Sequence, residues 1–200
     1  MLTIKENITN EYEIKKSKFI TLLYKIDDIK EVNEILENVK GIYKDATHYC
    51  YSYKLDGTEK FSDDKEPSGT AGLPMMEVLN KRGLNHILCI VIWYFGGIKL
   101  GAGGLVRAYS KAVKDALDKV ETIELVEGYL IRITTSYEEQ KKYDYLFKDK
   151  IMKKEFNDQV IYYIELEKEE INKLNIEHII ALGGKKSNEK LGKKGNQCKN

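Results

Sequence analysis

The chain has 200 residues, 42% of them hydrophobic and 32% charged, with a formal net charge of +1. That supplies a core for one or two domains and excludes a membrane protein: the longest apolar run, Ile87 to Phe95, is about half of the ~18–20 residues that span a bilayer. Three cysteines, Cys50, Cys89 and Cys198, exclude a disulfide scaffold and fit a reducing cytoplasm, and MLTIKENITN lacks the basic and apolar regions of a signal peptide.

Residues 2–14 and 18–26 alternate as strands, joined at Lys15-Lys16-Ser17. Ile29, Val32, Ile35, Leu36 and Val39 follow helical spacing, with Asp28 and Glu31 as a capping box and Gly41 as the stop. A hairpin follows, with strands over 47–55 and 58–62 and Asp56-Gly57 as its turn. In the next helix Ser68 or Thr70 is the expected cap, Pro74 is tolerated in the first turn, and Gly83 ends the run. Ile87–Phe95 has the unbroken apolar character of a central strand buried on both faces. A glycine-rich run over 96–104 leads into a helix from Leu105 to Lys119, with Arg107, Lys111 and Lys114 along its polar side.

From 121 the order reads strand (125–135), helix (138–149), strand (151–156), strand (159–166), helix (168–175), strand (178–182). That is the βαββαβ order of a ferredoxin-like domain. The expectation is an α+β protein with a first domain over 1–120, a second over 121–183 and a disordered basic tail over 184–200. The charge follows these divisions. Residues 1–120 carry 18 basic and 17 acidic side chains, 121–183 carry 9 and 14, and the tail has 6 lysines against Glu189 alone. Only the tail has the composition of a general polyanion binder.

Two segments have the residue types of a binding site. In the first, Lys99, Gly101, Ala102, Gly103, Gly104 and Arg107 combine bare backbone amides, a helix N-terminus and two cations. Such a combination suits an anion or phosphate, and Lys111 and Lys114 extend it. A tight, closely packed strand-to-helix turn would need the same glycines. In the second segment, Asp63, Asp64 and Glu66 precede Ser68, Gly69 and Thr70 at a helix start. These carboxylates can ligate a hard cation such as Mg²⁺, or Asp64 or Glu66 can simply cap helix amides. His48, Cys50 and Ser52 share one strand face, with His48 as a further candidate; Tyr49, Tyr51 and Tyr53 share the other. The tyrosine row suits core beneath a helix or, alternatively, a surface for stacking bases.

These stretches, IKKSKFI (14–20), DATHYCYSY (45–53), FSDDKEPSGTAGLP (61–74) and YFGGIKLGAGGLVRAY (94–109), resemble the YigZ/IMPACT family. The resemblance implies a first domain with the βαβ topology and left-handed crossover of a small-subunit ribosomal protein and of elongation factor G domain IV. The second domain would be similar to domain V of that factor. Two positions depart from the family pattern: Lys65 replaces a glycine, which suggests a backbone without a glycine-only conformation, and Leu73 stands where lysine is frequent.

The expected function is a non-enzymatic, translation-associated cytoplasmic regulator. It would bind RNA, a ribosome-associated protein or another phosphate-bearing ligand, with no membrane partner. The alternative is an enzyme acting on a phosphorylated or carboxylated small molecule where the two loops meet.

Overall fold

The computed structural model describes residues 1–171 and 179–190. They form two compact units, Met1–Glu124 and Leu125–Lys190, and the protein is α+β. The first unit contains β1 (Leu2–Ile4), β2 (Ile8–Ile14), β3 (Ser17–Lys25), α1 (Ile29–Ile42), β4 (His48–Leu55), β5 (Thr58–Ser62), α2 (Gly72–Lys81), β6 (Ile87–Tyr94) and α3 (Ala102–Leu117). Its main sheet has the order β2-β3-β6-β4-β5, with antiparallel neighbours throughout. The strand expected over 2–14 is two strands: β1 leaves this sheet and pairs with Thr122–Glu124.

β6 lies at the centre of the sheet, and its alternating side chains reach two helical layers. Leu88, Ile90 and Ile92 pack with Val32, Leu36 and Val39 of α1 on one face. Ile87, Cys89, Val91 and Trp93 pack on the other with Met75, Val78 and Leu79 of α2 and Leu105, Tyr109 and Val113 of α3. An uninterrupted apolar run is therefore needed, even though the sheet is antiparallel. The tyrosine row lies in the α1 layer, with Tyr53 buried and Tyr49 and Tyr51 packed against the same cluster. The row belongs to the core beneath α1, the first of its two readings, with Tyr49 and Tyr51 partly buried at its margin.

Local chemistry accounts for some of the helix ends. Asp28 accepts from the Lys30 amide at 2.8 Å and Glu31 accepts from the Asp28 amide at 2.8 Å, the expected capping box. Gly41 does not stop α1, which continues through it to Ile42. Gly83, at φ 63, follows the last turn of α2, where the Leu84 amide donates to the Leu79 carbonyl at 3.2 Å. α3 begins three residues before the expected Leu105, with Gly101 as its N-cap at φ 74, so Ala102, Gly103 and Gly104 form its first turn.

The second unit contains most of β7 (Thr122–Thr135), then α4 (Gln140–Leu146), β8 (Ile151–Phe156), β9 (Val160–Glu167), α5 (Lys168–Ile171) and β10 (Ile179–Lys190). β7, β9 and β8 form a three-stranded antiparallel sheet, and β10 pairs with β7. Ile131, Ile133, Val160, Tyr162, Ile164 and Leu166 make its core with Tyr143 and Phe147. β10 runs beyond the expected 178–182 and takes in the first seven residues of the segment expected to be disordered. The end of the expected helix over 168–175, His178 and residues 191–200 lie outside the described residues.

Candidate functional site

Three alternate residues of β4 hold the backbone of the acidic loop. His48 Nδ1 donates to the Asp64 carbonyl at 2.6 Å, the Cys50 thiol to the Asp63 carbonyl at 3.1 Å, and the Ser52 hydroxyl to the Gly72 carbonyl at 2.7 Å. A carbonyl can only accept, so this bond places a proton on Nδ1 of His48 and leaves Nε2 as the second ring position. The period of two residues along a strand turns all three side chains toward the same loop.

The carboxylates of that loop point inward. Asp63 accepts from the amides of Gly69 at 2.9 Å, Ala71 at 3.0 Å and Gly72 at 2.8 Å. It therefore caps α2 in place of Ser68, which is exposed, and of Thr70, whose hydroxyl donates to the Pro67 carbonyl at 2.6 Å. Asp64 accepts from the Tyr49 amide at 2.7 Å. Of the two readings open for these carboxylates, a cation site or a cap, the contacts of Asp63 are those of a cap, and Asp64 is likewise occupied by a main-chain donor. Among the described residues, no group of three or more His, Cys, Asp and Glu side chains is placed to hold a metal ion. Asp64 and Lys65 have φ values of 41 and 70. Position 65 therefore lies in the glycine-favoured region after all, and Lys65 accepts the strain.

Glu66 is the carboxylate turned toward α3. It is buried, and the Tyr109 hydroxyl donates to its Oε1 at 3.0 Å. Burial holds Glu66 above the usual carboxylate range, while the Tyr109 hydrogen bond and the nearby His48 partly offset that rise. Tyr109 also receives the Cys50 thiol at 3.4 Å, and burial pushes Cys50 up to about 12, so this thiol is not a nucleophile at neutral pH. Tyr109 itself is held far above its ordinary value, first by burial. Behind this cluster the Trp93 ring stacks against His48 at 5.5 Å and Phe19 at 5.8 Å.

The glycine-rich run divides into two kinds of position. A Cβ on Gly96 would lie 2.0 Å from the carbonyl carbon and oxygen of Lys16, so Gly96 is required where β6 passes the β2–β3 turn. Gly97 and Gly101 have φ of 86 and 74, whereas Gly103 has an ordinary helical backbone and an exposed site whose nearest neighbour is Arg107 Nη1, 3.6 Å from a built Cβ. The N-cap position of α3 is Gly101, and among the described residues no side chain takes the place of a cap there. Lys99, Arg107 and Lys114 are exposed and have no ion-pair partner among the described residues. Lys111 differs: it pairs with Asp115 at 2.8 Å and lies over the Tyr12 ring. The expected cationic stripe is reduced by that one member.

The Glu66–Tyr109 bond therefore connects the loop over 61–72 to α3, the helix that the glycine run starts. Tyr109 and Trp93 are the site residues that the sequence did not reveal. Both occupy apolar positions of regular elements, and the one available signal for Tyr109 was a hydroxyl that must find a partner wherever that helix face is buried.

A single antiparallel sheet between two helical layers, with a rack of strand side chains clamping an acidic turn beside a glycine-started helix, defines a recognisable class of domain. Residues 15–117, more than half of the chain, match the Impact N-terminal domain, and the protein belongs to the IMPACT family. It is 46% identical over 125 residues to the IMPACT family member YvyE of Bacillus subtilis (strain 168), covering 61% of this chain and 58% of that protein. It is 41% identical over 120 residues to the IMPACT family member YigZ of Escherichia coli (strain K12), covering 58% of this chain and 59% of that protein. The matched region thus spans about three fifths of the length of these two relatives. A crystal structure of a hypothetical protein is similar at a TM-score of 0.61 and 30% identity, covering 86% of this chain and 87% of that one. No helix among the described residues is long and apolar enough to cross a membrane.

Proposed function

We propose that this protein is a non-enzymatic, translation-associated cytoplasmic regulator that binds RNA or ribonucleoprotein through the loop over 96–107. The observation that carries this is the start of α3. Among the described residues, the first-turn amides of Ala102, Gly103 and Gly104 have no side-chain cap, and Lys99 and the Arg107 guanidinium accompany them without acidic partners. Amides and cations together suit a phosphate. Lys114 extends the surface along the helix. The finer fold assignments belong to the same proposal: an elongation-factor-G domain-IV-like first unit with a left-handed crossover, and a ferredoxin-like second unit. The βαββαβ order from β7 to β10 and the pairing of β10 with β7 support the latter.

The test is fluorescence anisotropy of labelled single-stranded and structured RNA across a salt series, with wild type and Arg107→Glu. Binding that weakens as salt rises and is lost in the variant supports an interaction with phosphate. No binding at low salt discards it.

An enzyme for a phosphorylated or carboxylated small molecule is the second reading, favoured by one observation. Glu66 is a buried carboxylate without an ion-pair partner among the described residues, held above its usual range beside His48. Groups so placed are frequent where protons are exchanged. Glu66→Gln separates the two: it leaves RNA affinity unchanged in a pure binding protein and removes turnover in an enzyme.

A further inference from the structure

The surface that precedes the α3 amides contains an aromatic ring at the edge of water. Phe95 is 45% exposed, directly after β6, and Ile98 and Val106 are also exposed, at 43% and 36%. The ring is not loose. The Phe95 amide donates to Thr47 Oγ1 at 3.0 Å, and its ring meets Trp93 edge-on at 5.8 Å and 72°. Trp93 is in turn buried and stacked between His48 and Phe19. An exposed aromatic side chain thus has a rigid support and loses little freedom when it gains a partner. Lys99 and Arg107, both unpaired among the described residues, follow within the same segment.

We infer that this surface takes single-stranded RNA, with an unpaired base stacked on Phe95 and the adjoining phosphate held near Lys99 and Arg107. The inference rests on the phosphate-binding reading of the same loop and adds the form of nucleic acid that it selects. Apolar and aromatic groups interleaved with cations match a strand that presents base faces and phosphates in alternation. Duplex RNA presents phosphates and 2′-hydroxyls but no free base face, because its bases already stack on one another. An acidic protein segment would satisfy the cations and leave the ring without a planar partner.

The experiment measures binding of a labelled single-stranded RNA, its blunt duplex of equal length, and a poly-glutamate peptide to the full chain. Phe95→Ala, Phe95→Trp and Arg107→Glu are compared with wild type. The expected result is that Phe95→Ala weakens single-strand binding roughly 5- to 150-fold, the range of one base–aromatic stack, without changing duplex binding. Phe95→Trp should restore it, which separates stacking from damage to the fold. If Arg107→Glu weakens both RNAs equally while Phe95→Ala changes neither, phosphate binding stands and the stacked base is overturned. If no RNA binds at low salt, the phosphate reading itself fails. Poly-glutamate binding as tight as that of the single strand, and indifferent to Phe95, would assign the surface to an acidic protein and overturn the proposal.

Discussion

The Tyr109 hydroxyl donates to Oε1 of Glu66 at 3.0 Å, so an acidic turn and the helix that follows the glycine run share a buried hydrogen bond. One bond of this kind does not fully compensate a carboxylate for lost water, and the pKa of Glu66 stays above its ordinary 4.5. The folded protein therefore binds this proton more tightly than the unfolded chain does. The resulting stability is fully present below about 4.5 and is lost as pH rises through the elevated folded value. Glu66→Gln retains the acceptor and removes the charge. Urea unfolding should show the variant at least as stable as wild type at pH 7.5, with the difference closing below pH ~4.5. A variant clearly weaker at neutral pH would mean that the ionised carboxylate is compensated where it lies.

Asp63 receives three amides at the start of α2 and, among the described residues, is the side chain that accepts from them. Asp63→Ala leaves those donors without an acceptor, at a cost of about 2 kcal/mol, the upper part of the range for a lost cap. Asp63→Asn should recover part of it, since one carbonyl oxygen remains. Chemical denaturation curves of the three proteins give the order directly, and equal midpoints for wild type and Asp63→Ala would remove Asp63 from the cap.

The first unit was legible in its pattern of apolar residues and much less so in its polar contacts. The continuous run Ile87–Tyr94 and the spacing of Val32, Leu36 and Val39 translate directly into the two cores, because burial follows periodicity. The cap of α2 did not emerge from sequence. Short-range rules point to Ser68 and Thr70, next to the helix, whereas the acceptor is Asp63, brought there when His48, Cys50 and Ser52 pull the turn onto β4. Tertiary placement overrides local capping preference at such a turn. The pairing of Lys111 with Asp115 was open to sequence reading, being four apart on one helix, and it removes a cation from the stripe.

Lys65 at φ 70 is a side chain held where glycine is easier. An L-residue in that region costs roughly 1–2 kcal/mol, of which glycine returns part as unfolded-chain entropy. Lys65→Gly should therefore stabilise the protein by up to about 1 kcal/mol, visible as a higher denaturation midpoint with an unchanged slope. The neighbouring Asp64, at φ 41, should not respond in the same way, because Asp64→Gly also removes the acceptor of the Tyr49 amide.

Gly96 and Gly103 look equivalent in the sequence and differ in kind in the structure, so one substitution at each separates shape from binding. Alanine at 96 places its methyl carbon 2.0 Å from Lys16 backbone atoms, which cannot swing away as a side chain would. The β2–β3 turn must move, and Gly96→Ala should lose about 3 kcal/mol or more, enough to depress soluble yield. Alanine at 103 meets only the flexible end of Arg107, at 3.6 Å, within a helical turn. Removing a glycine there should add up to about 1 kcal/mol of stability. The new methyl stands beside the uncapped amides and Arg107, so the same variant should bind RNA more weakly than wild type while unfolding later. A Gly103→Ala protein that is more stable and binds as before would show that phosphate does not approach the first turn of α3.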